Sequence, residues 1–253
     1  MRSAVSQLRR THRSRATNDE LLRFYLRARG IGHVEIVQDL TSDGALQPVG
    51  SKYVDGFKML LQRRSGRARL RFTTAHEICH TFFYEHVPEL KFVPHEVDPR
   101  EERLCDFGAA ELLMPAASIR RTAEGLPVCF GTLLRLATDY SVSATAMFVR
   151  LRFLRLWRCI FSEWHRMTSG TFVLANLYGG KRLPWEWEDQ SILANAWESH
   201  KAAMGNTFIH YESENGKRYL PAQFEVRRFG NRIFSLWGSE IYNPVRLYPL
   251  LNQ

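Results

Sequence analysis

The chain is poor in cysteine. Cys79, Cys105, Cys129 and Cys159 stand far apart among 253 residues with no CxxC pair, which excludes a disulfide framework and a cysteine zinc knuckle. Long apolar runs are missing as well. Nothing approaches the roughly 20 residues that span a bilayer, and the opening MRSAVSQLRRTHRSR lacks the apolar core of a secretion signal. The expectation is a soluble protein of a reducing cytoplasm with no membrane contact. No repeat of about 20 to 50 residues is visible. Acids are outnumbered, 26 against 35 Lys and Arg, for a formal net charge of +9. Arg2, Arg9, Arg10, Arg13 and Arg15 supply part of that excess and face no acid. Residues 1–16 are therefore expected as a basic flexible tail. Such a tail can make weak contact with DNA, and it also resembles an organelle transit peptide.

What is present describes a globular protein. Apolar residues make up 45% and aromatics 12%, more than a disordered chain carries, and the length suffices for two domains. Asn18-Asp19-Glu20 opens a helix over 18–29 that stops at Gly30 and Gly32. Residues 33–37 and 57–62 read as strands, 41–50 as a loop. Phe72, Ala75, Cys79, Phe82 and Phe83 form one stripe of a helix over 69–85. Asp98-Pro99 opens another over 99–113, and short helices follow to about 156. Beyond Cys159 the texture is strand-like at 171–177, 207–211, 220–229 and 232–237, around a helix near 188–203.

The chemistry concentrates in His76-Glu77-Ile78-Cys79-His80. Two imidazoles four positions apart share one helix face with Cβ atoms about 5–6 Å apart, which suits two ligands of one ion. Catalytic zinc takes three protein ligands and leaves the fourth position to water. Glu77 projects beside the ion, placed to act as general base towards that water. Glu102 on the following helix is the preferred third ligand, with Asp106 one turn later to hold a ligating histidine in its tautomer. Glu101 is the fallback. His86 stands at the spacing of a longer histidine motif, but that motif needs a glycine where this chain has Phe83. Cys79 and Cys105 read as small core residues in apolar stripes.

These residues resemble the ImmA/IrrE-type metallopeptidases. The likeness runs through Arg71-Phe72-Thr73-Thr74-Ala75-His76-Glu77-Ile78-Cys79-His80, then Glu102-Arg103-Leu104-Cys105-Asp106 and Ala109-Ala110-Glu111-Leu112-Leu113-Met114-Pro115. Leu136-Ala137, Val142-Ser143 and Arg150-Leu151 resemble the family's trailing helices, and the likeness spans about residues 20–155. Cys105-Asp106 stands where Ala-Asn is common, Cys79 where glycine is frequent, and Gly108 where a large apolar residue is common. The resemblance implies an α+β fold with a small zincin-like domain over 17–156, trailing helices included; it does not reach the last hundred residues, whose strand-like texture reads as a mixed α/β domain over 157–253. It also implies a zinc-dependent endopeptidase, with manganese as the other metal to consider, that cleaves a helix-turn-helix transcriptional repressor in stress or mobile-element regulation.

Other signals read more plainly. Arg63, Arg64, Arg67, Arg69 and Arg71 fit a solvated turn, or else a docking surface for an acidic segment or DNA. The run Leu133–Arg152 aligns loosely with a helix-turn-helix in which Ser143 caps the second helix. Trp185, Trp187 and Trp197 with Arg227-Arg228 read as core aromatics rather than a stacking platform. The competing reading is a non-catalytic DNA- or protein-binding regulator with a structural metal site.

Overall fold

The computed structural model describes Ala4, Val5, Gln7 and residues 18–63, 66–84, 98–179, 190–213 and 216–238. Among them the fold is α+β, with seven α-helices and two sheets. His86, Trp185, Trp187 and Arg64 lie outside the described residues. The chain forms two compact units, Met1–Ile119 with Ala137–Ala146, and Arg120–Leu136 with Met147–Gln253.

The first unit begins with α1 (Asn18–Ala28), whose end at Gly30 has a positive φ of 69° that glycine adopts without strain. Strands β1 (Ile31–Val37), β2 (Gly44–Pro48) and β3 (Phe57–Gln62) form a mixed sheet in the order β1-β3-β2. β1 runs parallel to β3 and β2 antiparallel to it. Phe57, Met59 and Leu61 alternate inward along β3 and form part of the core. β2 was expected as loop, because Gly, Gln and Pro hide a strand whose backbone pairs with β3, Leu46 opposite Met59. Next come α2 (Arg67–Tyr84) and α3 (Pro99–Leu113), the latter over the residues expected for it. Asp98 caps α3 by accepting from Arg100 N at 2.8 Å, with Pro99 at its first turn.

Three of the arginines ahead of the metal motif have acidic partners. Arg67 pairs with Asp19 at 2.9 Å, Arg69 pairs with Asp43, and Arg71 is buried against Asp19. Arg71 Nε also donates to the Ser141 carbonyl at 3.1 Å. The sequence could not reveal these partners, which lie 26 to 70 residues away.

The second unit is built on an antiparallel sheet in the order β5-β4-β8-β7-β6. Its strands are β4 (Ile160–Arg166), β5 (Phe172–Tyr178), β6 (Ala203–Ser213), β7 (Gly216–Phe229) and β8 (Arg232–Gly238). β4 carries no strand signal in the sequence, because its apolar positions are interrupted by Ser162, Glu163 and His165. Between Ala116 and Phe153 the chain forms α4 (Ala116–Ala123), α5 (Phe130–Asp139) and α6 (Ala144–Phe153). Ser143 Oγ accepts from Ala146 N at 3.1 Å, the cap expected for α6. One face of the sheet buries Trp164, Phe172, Phe224, Ile233 and Trp237 with Leu193 and Ala196 of α7 (Ser191–Ser199). On the other, Phe161 stacks on Phe148 and Phe234, at 5.0 and 5.4 Å between ring centres. Glu225, 1% exposed, accepts from Phe130 N at 2.6 Å, so a buried carboxylate holds the amino end of α5.

Within that first face the indoles are satisfied by two hydroxyls. Trp164 Nε1 donates to Ser162 and Ser235 Oγ at 3.0 and 3.1 Å, and Trp237 Nε1 to the same atoms at 3.3 and 2.6 Å. The two hydroxyls also bond to each other. Removing one leaves buried donors short of acceptors. Ser235→Ala is expected to destabilise the unit by about 1–3 kcal/mol, read from the midpoint of urea unfolding; an unchanged midpoint would show that the indoles do not depend on this pair.

Candidate metal centre

Helix α2 places His76, Glu77 and His80 in its second half and is anchored at that end by Arg29. Arg29 Nε donates to Thr81 Oγ1 at 2.9 Å and its Nη2 to the Thr81 carbonyl at 3.0 Å, and its guanidinium lies 4.2 Å over the Phe82 ring. Helix α3 packs against α2 and brings an acidic first turn to the histidines. The four-residue spacing puts His76 Nε2 3.1 Å from His80 Nε2.

The outer ring nitrogens are both spoken for. His76 Nδ1 lies 2.9 Å from Asp106 Oδ1 and His80 Nδ1 lies 2.7 Å from Glu101 Oε1. A carboxylate only accepts, so each Nδ1 carries the proton and each Nε2 keeps a lone pair. Both Nε2 atoms face Glu102, at 3.1 Å to Oε2 from His76 and 3.3 Å to Oε1 from His80. Acceptors therefore converge on one point with no donor between them. Zinc ligands about 2 Å from a tetrahedral ion stand about 3.3 Å apart, so these spacings fit such an ion. The residues present suit a divalent metal.

The acid expected as fallback ligand has a different position: Glu101 sits on the far nitrogen of His80 and orients that ring. Its neighbour Glu102 is the one turned to the Nε2 atoms. The sequence signal was available, since adjacent carboxylates on a helix point about 100° apart and reach different faces. Cys105 had been read as a core residue. It is fully buried, yet its Sγ lies within 4.8 Å of the ligating nitrogens of both histidines. The Glu102 oxygens lie 3.1 and 3.3 Å from the two Nε2 atoms, so both Glu102 and Cys105 stand within reach of the point the histidines face.

Glu77 lies behind this group and is 6% exposed. Burial pushes its carboxyl pKa above the usual range; the nearby histidines pull it down and Glu102 adds to the rise. Its space is set by Gly44. A Cβ at that position would stand 2.8 Å from Glu77 Oε1 and 2.4 Å from Thr73 Cγ2, so only glycine lets the start of β2 pass this close.

His76 titrates upward. Burial opposes its charged form, but the Asp106 hydrogen bond and the charges of Glu77, Asp106 and Glu102 outweigh that, and the net shift is raised.

Comparison with known proteins places the segment that carries this geometry. Residues 48–152 match the peptidase M78 family, the IrrE N-terminal-like domain. The M78 match bears out the ImmA/IrrE resemblance and the zincin-like fold, and the segment contains every histidine and acid described above except those beyond its ends. No curated protein matches the chain. A solved structure, "Mycobacterium tuberculosis transcriptional regulator", is similar with a TM-score of 0.56 at 14% identity, over 93% of this chain and 75% of that one. At that identity the likeness speaks for the fold. No helix among the described residues is long and apolar enough to cross a membrane.

Without metal, a raised imidazole pKa stabilises the fold at pH below the ordinary histidine value, and that contribution is lost as pH rises through the raised one. Asp106→Asn is expected to lower the His76 pKa in the metal-free protein, followed by NMR titration of the ring protons. An unmoved titration would mean that Asp106 does not hold this ring.

Proposed function

We propose that the chain is a metal-dependent endopeptidase, with zinc held by His76, His80 and Glu102 and Glu77 as general base. The observation that carries this reading is the convergence of two Nε2 lone pairs and a carboxylate at 3.1 to 3.3 Å beside a buried glutamate. Bound there, zinc supplies Lewis acidity, which lowers the pKa of water towards about 7 and polarises a carbonyl. Glu77 accepts the proton of the attacking water and returns it to the leaving amine. Its raised pKa suits both halves of that task. Asp106 and Glu101 keep the imidazoles in the tautomer that offers Nε2. β2 is an edge strand of its sheet and meets Glu77 through Gly44, so an extended peptide pairing with β2 would run past the base.

The substrate we propose is a regulatory protein, a helix-turn-helix repressor, on the strength of the family resemblance. The residues we assign to the peptidase are 17–156, with residues 157–253 as a mixed α/β domain and 1–16 as a basic tail able to touch DNA. The four free thiols suit a reducing cytoplasm. A second reading, a regulator whose metal is structural, draws on the regulator title of the similar structure.

One substitution separates these readings. Glu77→Gln is expected to retain zinc and to lose about 10²–10⁴-fold in cleavage rate. The measurement compares new protein N-termini in cells expressing wild type or the variant, with metal content of each purified chain. Identical N-terminal profiles with full zinc in both would favour the structural-metal regulator.

A further inference from the structure

We propose that Cys105 is a fourth protein donor to the metal held by His76, His80 and Glu102, and that its thiolate competes with water for the remaining position. This rests on the metal-centre reading above and deepens it.

Three observations on the chain support it. The Cys105 Sγ and the ligating nitrogens of His76 and His80 lie within 4.8 Å of one another. Cys105 follows Glu102 by three positions on α3, one turn along the helix that supplies the carboxylate. The residue is fully buried, and no hydrogen bond occupies its sulfur among the described residues.

The exchange balances simply. On metal binding Cys105 would release its S–H proton to solvent, the sulfur–metal bond would form, and one water would leave the metal for solvent. The reverse restores the water and reopens the site. Closed four-donor sites are structural and sites with an open position catalytic, so the thiolate-bound form is latent. A soft sulfur donor also biases the centre towards zinc or cobalt over manganese.

The test is cobalt(II) reconstitution of the full chain, wild type against Cys105→Ala and Cys105→Ser, read by absorption. Wild type is expected to show visible d–d bands and a near-ultraviolet sulfur-to-cobalt charge-transfer band. Both variants should lose the charge-transfer band and keep the d–d bands. The serine variant, nearly isosteric, guards against a folding failure of the alanine one. Acetohydroxamate, a bidentate metal ligand, should bleach the charge-transfer band of wild type; a band that resists it overturns the competition with water. If d–d bands appear in wild type without charge transfer, or charge transfer survives in both variants, Cys105 is not a donor and the three-ligand centre stands alone. Absence of d–d bands in every chain overturns the centre and the proposal together.

Discussion

Acceptors that face one another have to be reconciled by a cation, and the first unit is arranged around that constraint. His76 Nε2, His80 Nε2 and the Glu102 carboxylate meet at 3.1 to 3.3 Å with their protons turned outward to Asp106 and Glu101. In the free protein burial opposes the charged form of His76, while Asp106, Glu77 and Glu102 favour it, and its pKa is raised. With a divalent ion the lone pairs become ligands instead. Metal binding and proton release are therefore linked at this centre.

Holding such a group together takes the rest of the unit. Arg29 ties α1 to the end of α2, Arg71 ties the start of α2 to Asp19 and to the Ser141 carbonyl, and Asp98 fixes where α3 begins. Each is a charged or capping group that resists rotation of a helix about its axis. A centre with ligand spacings this close tolerates little such rotation, because two of its donors come from α2 and the third from α3. Gly44 adds the strand: the absent side chain is what lets β2 lie against the base.

Much of this was legible in the sequence because it depends on local spacing. The histidine pair, the neighbouring glutamate, the Asp98-Pro99 start of α3 and the alternation along β3 are all fixed by residues a few positions apart. What escaped depends on partners far along the chain. Arg71 reads as one more basic residue of a turn until Asp19, 52 positions earlier, covers it. β2 reads as loop because its strand character comes from pairing with β3. Glu102 is preferred over Glu101 from helix geometry alone, but that Glu101 takes the Nδ1 of His80 depends on the placement of α3 against α2. Cys105 was taken for core by its stripe, which is true of its burial and silent about its neighbours. In the second unit, the Ser162–Ser235 pair under two indoles joins residues 73 apart, beyond any local pattern.

The most direct test is the position of zinc in crystals of the full chain grown with one equivalent of the metal, located by its anomalous scattering. A single peak about 2 Å from His76 Nε2, His80 Nε2 and a Glu102 oxygen is the expected result. A peak held by Glu101 in place of Glu102, or no peak at the two histidines, would contradict the centre described here.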